Sequence, residues 1–113
     1  MSYDINIGGE WFNYTYNMAP LFRAHLPNGD GITGLNGMTG KQASLEIDTF
    51  FQSAENERFF LFNHSDTCIT VDNKLRGKYD PDNGWGSYIG ALLFMEKVAA
   101  ACRRHPRAKV RVS

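Results

Sequence analysis

The segment from Ser87 to Arg104 constrains the fold most, because it has the pattern of a helix that is apolar on most sides. Ser87 can cap its first turn and His105-Pro106 ends it, while its apolar residues are Leu92, Leu93, Phe94, Met95, Val98, Ala99 and Cys102. Such a helix must be covered by other elements. We predict a core helix over about 86–104 within a single domain, since a chain of 113 residues is too short to build two adequate cores.

Strands are predicted in three parts of the chain: near the N-terminus, between the two main helices and in the C-terminal tail. Tyr3 to Ile7 and Glu10 to Asn17 are rich in β-branched and aromatic residues, and Gly8-Gly9 between them indicates a hairpin. We also predict a second hairpin near 59–72 and an edge strand in the alternating tail over 107–113.

The second strand is predicted to have two unlike faces, because side chains alternate across a strand. One face would carry Trp11, Asn13, Thr15 and Asn17. The other would carry Phe12, Tyr14 and Tyr16, and this aromatic face is predicted to be buried.

Helices are predicted in two more places. Met18 to Leu26 is a short candidate with Pro20 near its first turn, and an irregular glycine-rich crossing over 29–40 follows it. Thr39 and Gln42 then match a capping box, and apolar residues recur at helical spacing to about residue 56. The whole pattern predicts an α+β fold, with a small antiparallel sheet packed on two main helices over about 39–56 and 86–104.

Charge and cysteine content narrow the functional classes. Twelve Lys and Arg against twelve Asp and Glu leave no net charge, so only a local patch could attract nucleic acid. Cys68 and Cys102 belong to no C-x-x-C pair; they could form one disulfide, but two free thiols are favoured. Without a signal-like start or about 20 consecutive apolar residues, we expect a cytoplasmic protein that does not engage a membrane. Because the cysteines and histidines lack ligand spacing, we expect no metal, and we expect no cofactor. The chain could be a monomer or a homodimer.

The glycine-rich stretch before the helix at residue 39 does not match a phosphate-binding P-loop. Leu35 stands where that motif needs glycine, and Gln42 stands where it needs a hydroxyl. A weaker anion site over Thr39, Gly40 and Lys41 could still use the first amides of the helix. The alternative, which we favour, is that the glycines only shape a capping turn.

A basic segment near the C-terminus is a candidate for nucleic acid binding. It places five cations within nine residues: Arg103, Arg104, Arg107, Lys109 and Arg111. Aromatic residues that could stack on bases are missing nearby. The favoured alternative is that these cations stabilise a helix C-terminus and a solvated strand.

A polar and aromatic cluster is the most unusual feature of the sequence. We predict that its members orient a small ligand or a peptide, or that they cap helices and fill the core: Asn13, Thr15, Tyr16, Asn17, Asn83, Trp85 and Ser87. An enzyme could still assemble in the fold from His25, His64, Asp66 or Tyr16. The lack of a catalytic motif favours a protein that is not an enzyme.

Four motifs resemble landmarks of small uncharacterised proteins from tailed bacteriophages and bacteria. They are Met1-Ser2-Tyr3-Asp4-Ile5, Asn13-Tyr14-Thr15-Tyr16-Asn17 through Pro20-Leu21-Phe22, Gly37-Met38-Thr39-Gly40 and Asn83-Gly84-Trp85-Gly86-Ser87-Tyr88. The chain departs from this pattern between Glu57 and Lys78, where those proteins continue in helix, so the second hairpin could be an insertion. The resemblance implies a phage or prophage accessory protein in the host cytoplasm and implies no particular reaction.

Three functional hypotheses follow. The first is a non-enzymatic binding module that engages a host protein or a small intracellular ligand through the polar and aromatic cluster. The second is a nucleotide- or nucleic-acid-associated protein that uses Lys41 and the basic segment. The third is an enzyme whose residues meet only in the fold.

Overall fold

The computed structural model describes residues 2–63, 68–81, 84 and 86–113, and the side chains of 68–70 and 72 are not among those described. Its elements are β1 (Ser2–Ile7), β2 (Glu10–Thr15), α1 (Ala19–His25), α2 (Gly40–Asn63), α3 (Cys68–Tyr79), α4 (Tyr88–Arg104) and β3 (Arg111–Val112). Short 3₁₀ helices lie at Tyr16–Met18 and Gly31–Leu35. The predicted α+β class is confirmed. No helix in the described ranges combines the length and apolar character that crossing a membrane requires.

The sheet has the strand order β2-β1-β3, and both pairings are antiparallel. Gly8 and Gly9 close the first hairpin because both have positive φ, 57° and 84°, as a type I′ turn requires. The N-terminal hairpin is thus confirmed, and the edge strand predicted over 107–113 is confirmed only at Arg111–Val112. β2 ends at Thr15 rather than Asn17, because the Thr15 hydroxyl accepts a hydrogen bond from the Asn17 backbone N–H at 3.2 Å and caps a 3₁₀ turn.

The second hairpin near 59–72 is wrong. α2 continues to Asn63 and α3 begins at Cys68, so neither half of the proposed hairpin is a strand and no hairpin is inserted here. The apolar run from Phe59 to Phe62 is too short to distinguish a strand from a helix by periodicity. In the second half, Val71, Leu75 and Tyr79 follow one another at intervals of four residues. All three are buried on one side of α3, which is the pattern of a helix.

The two long helices pack antiparallel, with the N-terminus of α2 against the C-terminus of α4. Both predicted caps are confirmed. The Thr39 N–H donates to Gln42 Oε1 at 3.1 Å and the Gln42 N–H donates to Thr39 Oγ1 at 3.2 Å, while Ser87 Oγ accepts from the Gly90 N–H at 2.9 Å. Cys102 is a free, buried thiol on α4, and burial raises its pKa to about 11 although Arg103 opposes this.

An aromatic centre joins the sheet to the helices. The ring of Phe22 on α1 lies within 6.4 Å, between centroids, of the rings of Tyr3, Tyr14, Phe50 and Phe94. Tyr14 also stacks on Phe94 at 5.1 Å. These contacts fix β2 beside α4, because the aromatic face of β2 packs against the core. Its residues Phe12, Tyr14 and Tyr16 are partly buried rather than fully buried as predicted.

On the side away from β1, the C-terminal segment is hydrogen-bonded to the glycine-rich crossing. The Gly37 N–H donates to Val110 O and the Val110 N–H donates to Met38 O, both at 2.8 Å. The Val112 N–H donates to the Asn36 side chain at 3.0 Å. The sheet is therefore covered at its β3 edge by the glycine-rich crossing.

Candidate functional site

A groove of about 430 Å³ lies between β2 and α4. Its lining residues are Trp11, Phe12, Asn13, Tyr14, Gly90, Leu93, Phe94 and Lys97. Trp11 is 69% exposed and Leu93 is 54% exposed, and Ile89, one helical turn before Leu93, is 47% exposed. Large apolar side chains on both walls of one groove form the kind of contiguous patch that single exposed residues do not.

The strand that forms one wall of the groove has an unpaired edge. Asp4 exchanges both of its backbone hydrogen bonds with Ser113, at 3.0 and 2.9 Å, so its N–H and C=O point toward β3. Asn13, which lies opposite Asp4 in the register, must then direct its own N–H and C=O away from β1. Trp11, two residues earlier, does the same. Within the described residues, no hydrogen bond takes up these outward groups.

One end of the groove is kept open by a glycine. A Cβ on Gly90 would lie 2.5 Å from the Tyr14 hydroxyl oxygen and 2.9 Å from Ser87 Oγ, so no larger residue fits there without movement. The Tyr14 hydroxyl is itself held, because it donates to Ser87 O and accepts from the Ser87 N–H, each at 3.2 Å. These bonds fix the distance between the two walls at this end.

Lys97 gives the groove its only charge among the lining residues. It lies one helical turn after Leu93 on the same exposed side of α4. The ion pairs found among the described residues are made by other cations, to Glu10, Asp48 and Glu57. The ammonium of Lys97 therefore faces the groove without an acidic partner in the described part of the chain.

Volume alone does not select this groove. Depressions of about 490 Å³ lie between Pro27 and Leu45 and beside Tyr16, and one of about 390 Å³ lies beside Phe51. None of the three includes a residue of an unpaired strand edge in the described structure. The β2–α4 groove combines exposed aromatic surface, free backbone groups and an unpaired cation, and we take it as the candidate site.

The predicted polar and aromatic cluster is divided by the fold. Asn13 lines the groove, but its amide nitrogen donates to Ser2 Oγ at 2.8 Å and to Asp4 Oδ1 at 2.7 Å. Thr15 and Ser87 act as caps, as the structural alternative expected. Tyr16 packs on Tyr3, with ring centroids 4.4 Å apart, beside a different depression.

The remaining cluster members add no described ligand-binding group. Asn17 donates its side-chain amide to Thr15 Oγ1 at 2.9 Å, within the capping turn. Asn83 and Trp85 lie outside the described residues. Whether the cluster binds a ligand therefore stays a prediction, carried by Asn13 alone within the groove.

The amides that an anion at Thr39, Gly40 and Lys41 would need are already used. The Gly40 N–H donates to Ala108 O at 2.8 Å and the Lys41 N–H donates to Pro106 O at 3.0 Å. The Gln42 N–H is taken by the capping hydroxyl. This turn is a packed junction with the C-terminal segment, which agrees with the capping alternative.

Part of the predicted basic segment is neutralised by acids. Arg103 pairs with Asp48 at 3.1 Å, and Arg104 pairs with Glu10 at 2.6 Å. Hydrogen bonds from Arg104 and, less strongly, from His105 hold the pKa of the Glu10 carboxyl below its usual value, against a smaller opposing effect of desolvation. The other three cations, Arg107, Lys109 and Arg111, are exposed.

A partly buried polar network joins α1, α2 and α3 around His25. Its Nδ1 lies 2.7 Å from Ser53 Oγ, and its Nε2 lies 3.2 Å from Glu57 Oε1 and 3.2 Å from the Tyr79 hydroxyl. Lys78 Nζ donates to Glu57 Oε2 at 2.6 Å. None of the four depressions described above includes a member of this network.

Three members of the network have shifted pKa values, and the hydrogen bond to Glu57 raises the pKa of the Lys78 ammonium. Burial raises the pKa of the Glu57 carboxyl, but hydrogen bonds from Lys78, Tyr79 and His25 together outweigh burial and leave the pKa below its usual value. Burial, reinforced by the Glu57 charge, raises the pKa of Tyr79 to about 12. Because its polar groups satisfy one another, with His25 and Tyr79 buried and Lys78 reaching Glu57 from the surface, we interpret the network as a structural link between helices.

The enzyme hypothesis gains little from this geometry. His25 is the only one of its four candidate residues that joins ionisable groups among the described side chains, and it does so in the partly buried network. Tyr16 lies elsewhere, and His64 and Asp66 lie outside the described residues. No group of three or more His, Cys, Asp or Glu side chains in the described ranges is arranged to hold a metal ion.

Three exposed residues of the groove are not among the site candidates predicted from the sequence: Trp11, Leu93 and Lys97. The sequence does contain an indication that Trp11 is exposed. Alternation places this large apolar residue on the same face as Asn13 and Thr15, where a polar residue is expected. The sequence predicts Leu93 in the core because α4 is apolar on most sides. Only the position of β2 shows which side of the helix stays uncovered.

Comparison of the chain with protein-family models, with curated protein sequences and with solved structures gives no match. The resemblance to small phage and bacterial proteins therefore stays a prediction, and the geometry of the groove carries the functional argument.

Proposed function

We propose that this chain is a non-enzymatic binding protein that engages a partner protein through the β2–α4 groove. The observation that carries the proposal is the exposure of Trp11 and Leu93 on the two walls of one groove, with exposed Ile89 one helical turn before Leu93. Tryptophan is among the residues most often responsible for binding energy at protein interfaces. Covering a large apolar side chain removes it from water and contributes about 1.5–3 kcal/mol.

A partner protein fits this surface better than a small ligand does. The groove is open along the strand, and its apolar rim extends beyond the lining to Ile89. A small molecule would leave much of that rim in water, whereas a protein segment would cover it. If the chain is a phage-type accessory protein, as its motifs suggest, the partner would be a host protein.

The nucleic acid alternative has weaker support. Two of the five cations of the basic segment are occupied by Asp48 and Glu10, and the amides near Lys41 are occupied by backbone carbonyls. The exposed cations Arg107, Lys109 and Arg111 are what remains for this hypothesis, and residues 103–113 contain no Phe, Tyr or Trp for base stacking.

The test compares two exposed leucines. A photoreactive phenylalanine derivative placed at position 93 identifies the partner by cross-linking in host lysate, and the purified partner is then titrated against wild type, Leu93→Asp and Leu45→Asp. Leu45 is a suitable control because it is also exposed on a helix, at 58% against 54%, but lies outside the groove. We expect Leu93→Asp to weaken binding at least about tenfold, the size of one lost interface anchor, with Leu45→Asp unchanged. Equal affinities for the three proteins would contradict the proposal.

A further inference from the structure

We infer that the partner segment is an extended peptide that adds a strand to the free edge of β2 and carries an acidic side chain toward Lys97. This inference rests on the proposed function and specifies the chemistry of the same groove. Three observations carry it: the unpaired edge of β2, the apolar groove beside that edge, and the single cation in its lining.

The free edge sets the conformation of the bound segment. Trp11 and Asn13 direct their N–H and C=O groups outward, so they offer two donors and two acceptors at the spacing of a strand. A helix or a compact loop cannot pair with such a row, because its own backbone groups are used internally or are irregularly placed. An extended peptide can pair with all four groups, as in strand addition to other sheets.

The groove sets the side chains of the bound segment. In an added strand, alternate residues point toward the floor made by Phe12 and Phe94, and these should be apolar. The ammonium of Lys97 is the only charge in the lining, so the complementary group is a carboxylate. The recognised sequence is therefore an apolar, alternating segment with an aspartate or glutamate on the groove side.

A second copy of this chain fits the groove less well. The sequence of β2 contains one acid, Glu10. That carboxylate is already bound by Arg104 at 2.6 Å and by His105 at 2.8 Å. Pairing of β2 with β2 would leave Lys97 without a partner, which is why we assign the edge to another protein.

The experiment selects peptides from a random seven-residue library displayed on phage, with the full-length chain as bait and Leu93→Asp as the counter-selection. The best peptide is made with its acid, with lysine in place of the acid, and with the amides on its pairing edge N-methylated. We expect N-methylation to weaken binding at least about tenfold, since each lost backbone hydrogen bond accounts for about fivefold. The acid should be preferred over lysine by about fivefold, the effect of one exposed ion pair, and Lys97→Glu should reverse that preference.

Each outcome bears on a distinct claim. Peptides that require Leu93 but tolerate both N-methylation and Lys97→Glu would overturn strand addition and leave the proposed function standing. The absence of enrichment over Leu93→Asp would overturn the peptide inference, while the cross-linked partner still tests the groove. A concentration-dependent dimer that Trp11→Asp dissociates in sedimentation would overturn the assignment in favour of a second copy.

Discussion

Gly40 shows how strongly one residue can determine the junction between the two long helices. A side chain at this position would collide with the backbone carbonyl oxygens of Cys102 and His105. These carbonyls cannot move without displacing the C-terminus of α4. The Gly40 N–H also donates to Ala108 O at 2.8 Å, so the same residue fixes the segment that leads to β3.

Gly40→Ala and Gly77→Ala should therefore change stability in opposite directions. Gly77 lies in α3, and nothing lies within 4 Å of the position that its Cβ would take. In urea unfolding, we expect Gly77→Ala to raise the free energy of unfolding by about 0.5–1 kcal/mol, the helix propensity gain. Gly40→Ala should lower it by about 1–3 kcal/mol through overpacking. A Gly40→Ala protein more stable than wild type would contradict this prediction, because the junction of α2 and α4 would then accommodate the added methyl group.

At the scale of elements, α3 is attached to the rest of the molecule by apolar contacts and by the polar network around Glu57. Glu57 on α2 accepts hydrogen bonds from Lys78 and Tyr79 of α3 and lies within bonding distance of His25 on α1. Its side chain is only 17% exposed. Removing its charge should loosen α3, because the partners lose their common acceptor.

The pH dependence of stability should report this attachment. The pKa of Glu57 in the fold lies below 4.5, its ordinary value, so its contribution is complete above pH 4.5 and is lost as pH falls through the lower, folded-state pKa. We expect Glu57→Gln to lower the free energy of unfolding at pH 7 by about 1–3 kcal/mol and to reduce its fall on acidification. Glu55→Gln is the matched control on an exposed position of α2. If both variants lost the same acid sensitivity, Glu57 would not be its source.

Elements whose signals are local could be predicted from the sequence. The Gly8-Gly9 turn, the Thr39–Gln42 capping box and the Ser87 cap each depend on residues within a few positions, and each is present as expected. The stretch from Phe59 to Phe62 could not be decided in this way. Its aromatic residues favour a strand by propensity, but continuation of α2 places Leu61 against the core and leaves Phe59 exposed.

The site depends on contacts that are distant in sequence, and for that reason only its parts could be predicted. Asn13 was identified, but its groove requires β2 and α4 to meet, through Tyr14 and Phe94. The use of the α2 amides by Pro106 and Ala108 likewise joins segments that are more than sixty residues apart. A sequence pattern records neither contact, because both follow from the packing of the whole chain.

At the scale of the whole molecule, charge is balanced in total and also locally at the junction of the hairpin, α2 and α4. Twelve cations and twelve acids give no net charge. Arg103 and Arg104, which the sequence places in a basic segment, are paired with Asp48 and Glu10 from other elements. This pairing should suppress binding to polyanions, because cations engaged by protein carboxylates are not free to contact phosphates.

Releasing both arginines should reveal that suppression. We expect Glu10→Gln combined with Asp48→Asn to move elution from an immobilised heparin column to higher salt. The control combines Asp30→Asn with Glu55→Gln, which changes the net charge equally at exposed positions but frees neither arginine. A larger shift for the first pair than for the control would show that local pairing limits polyanion binding, since total charge is the same in both. Equal shifts would mean that net charge alone governs retention and that the two ion pairs leave the arginines available.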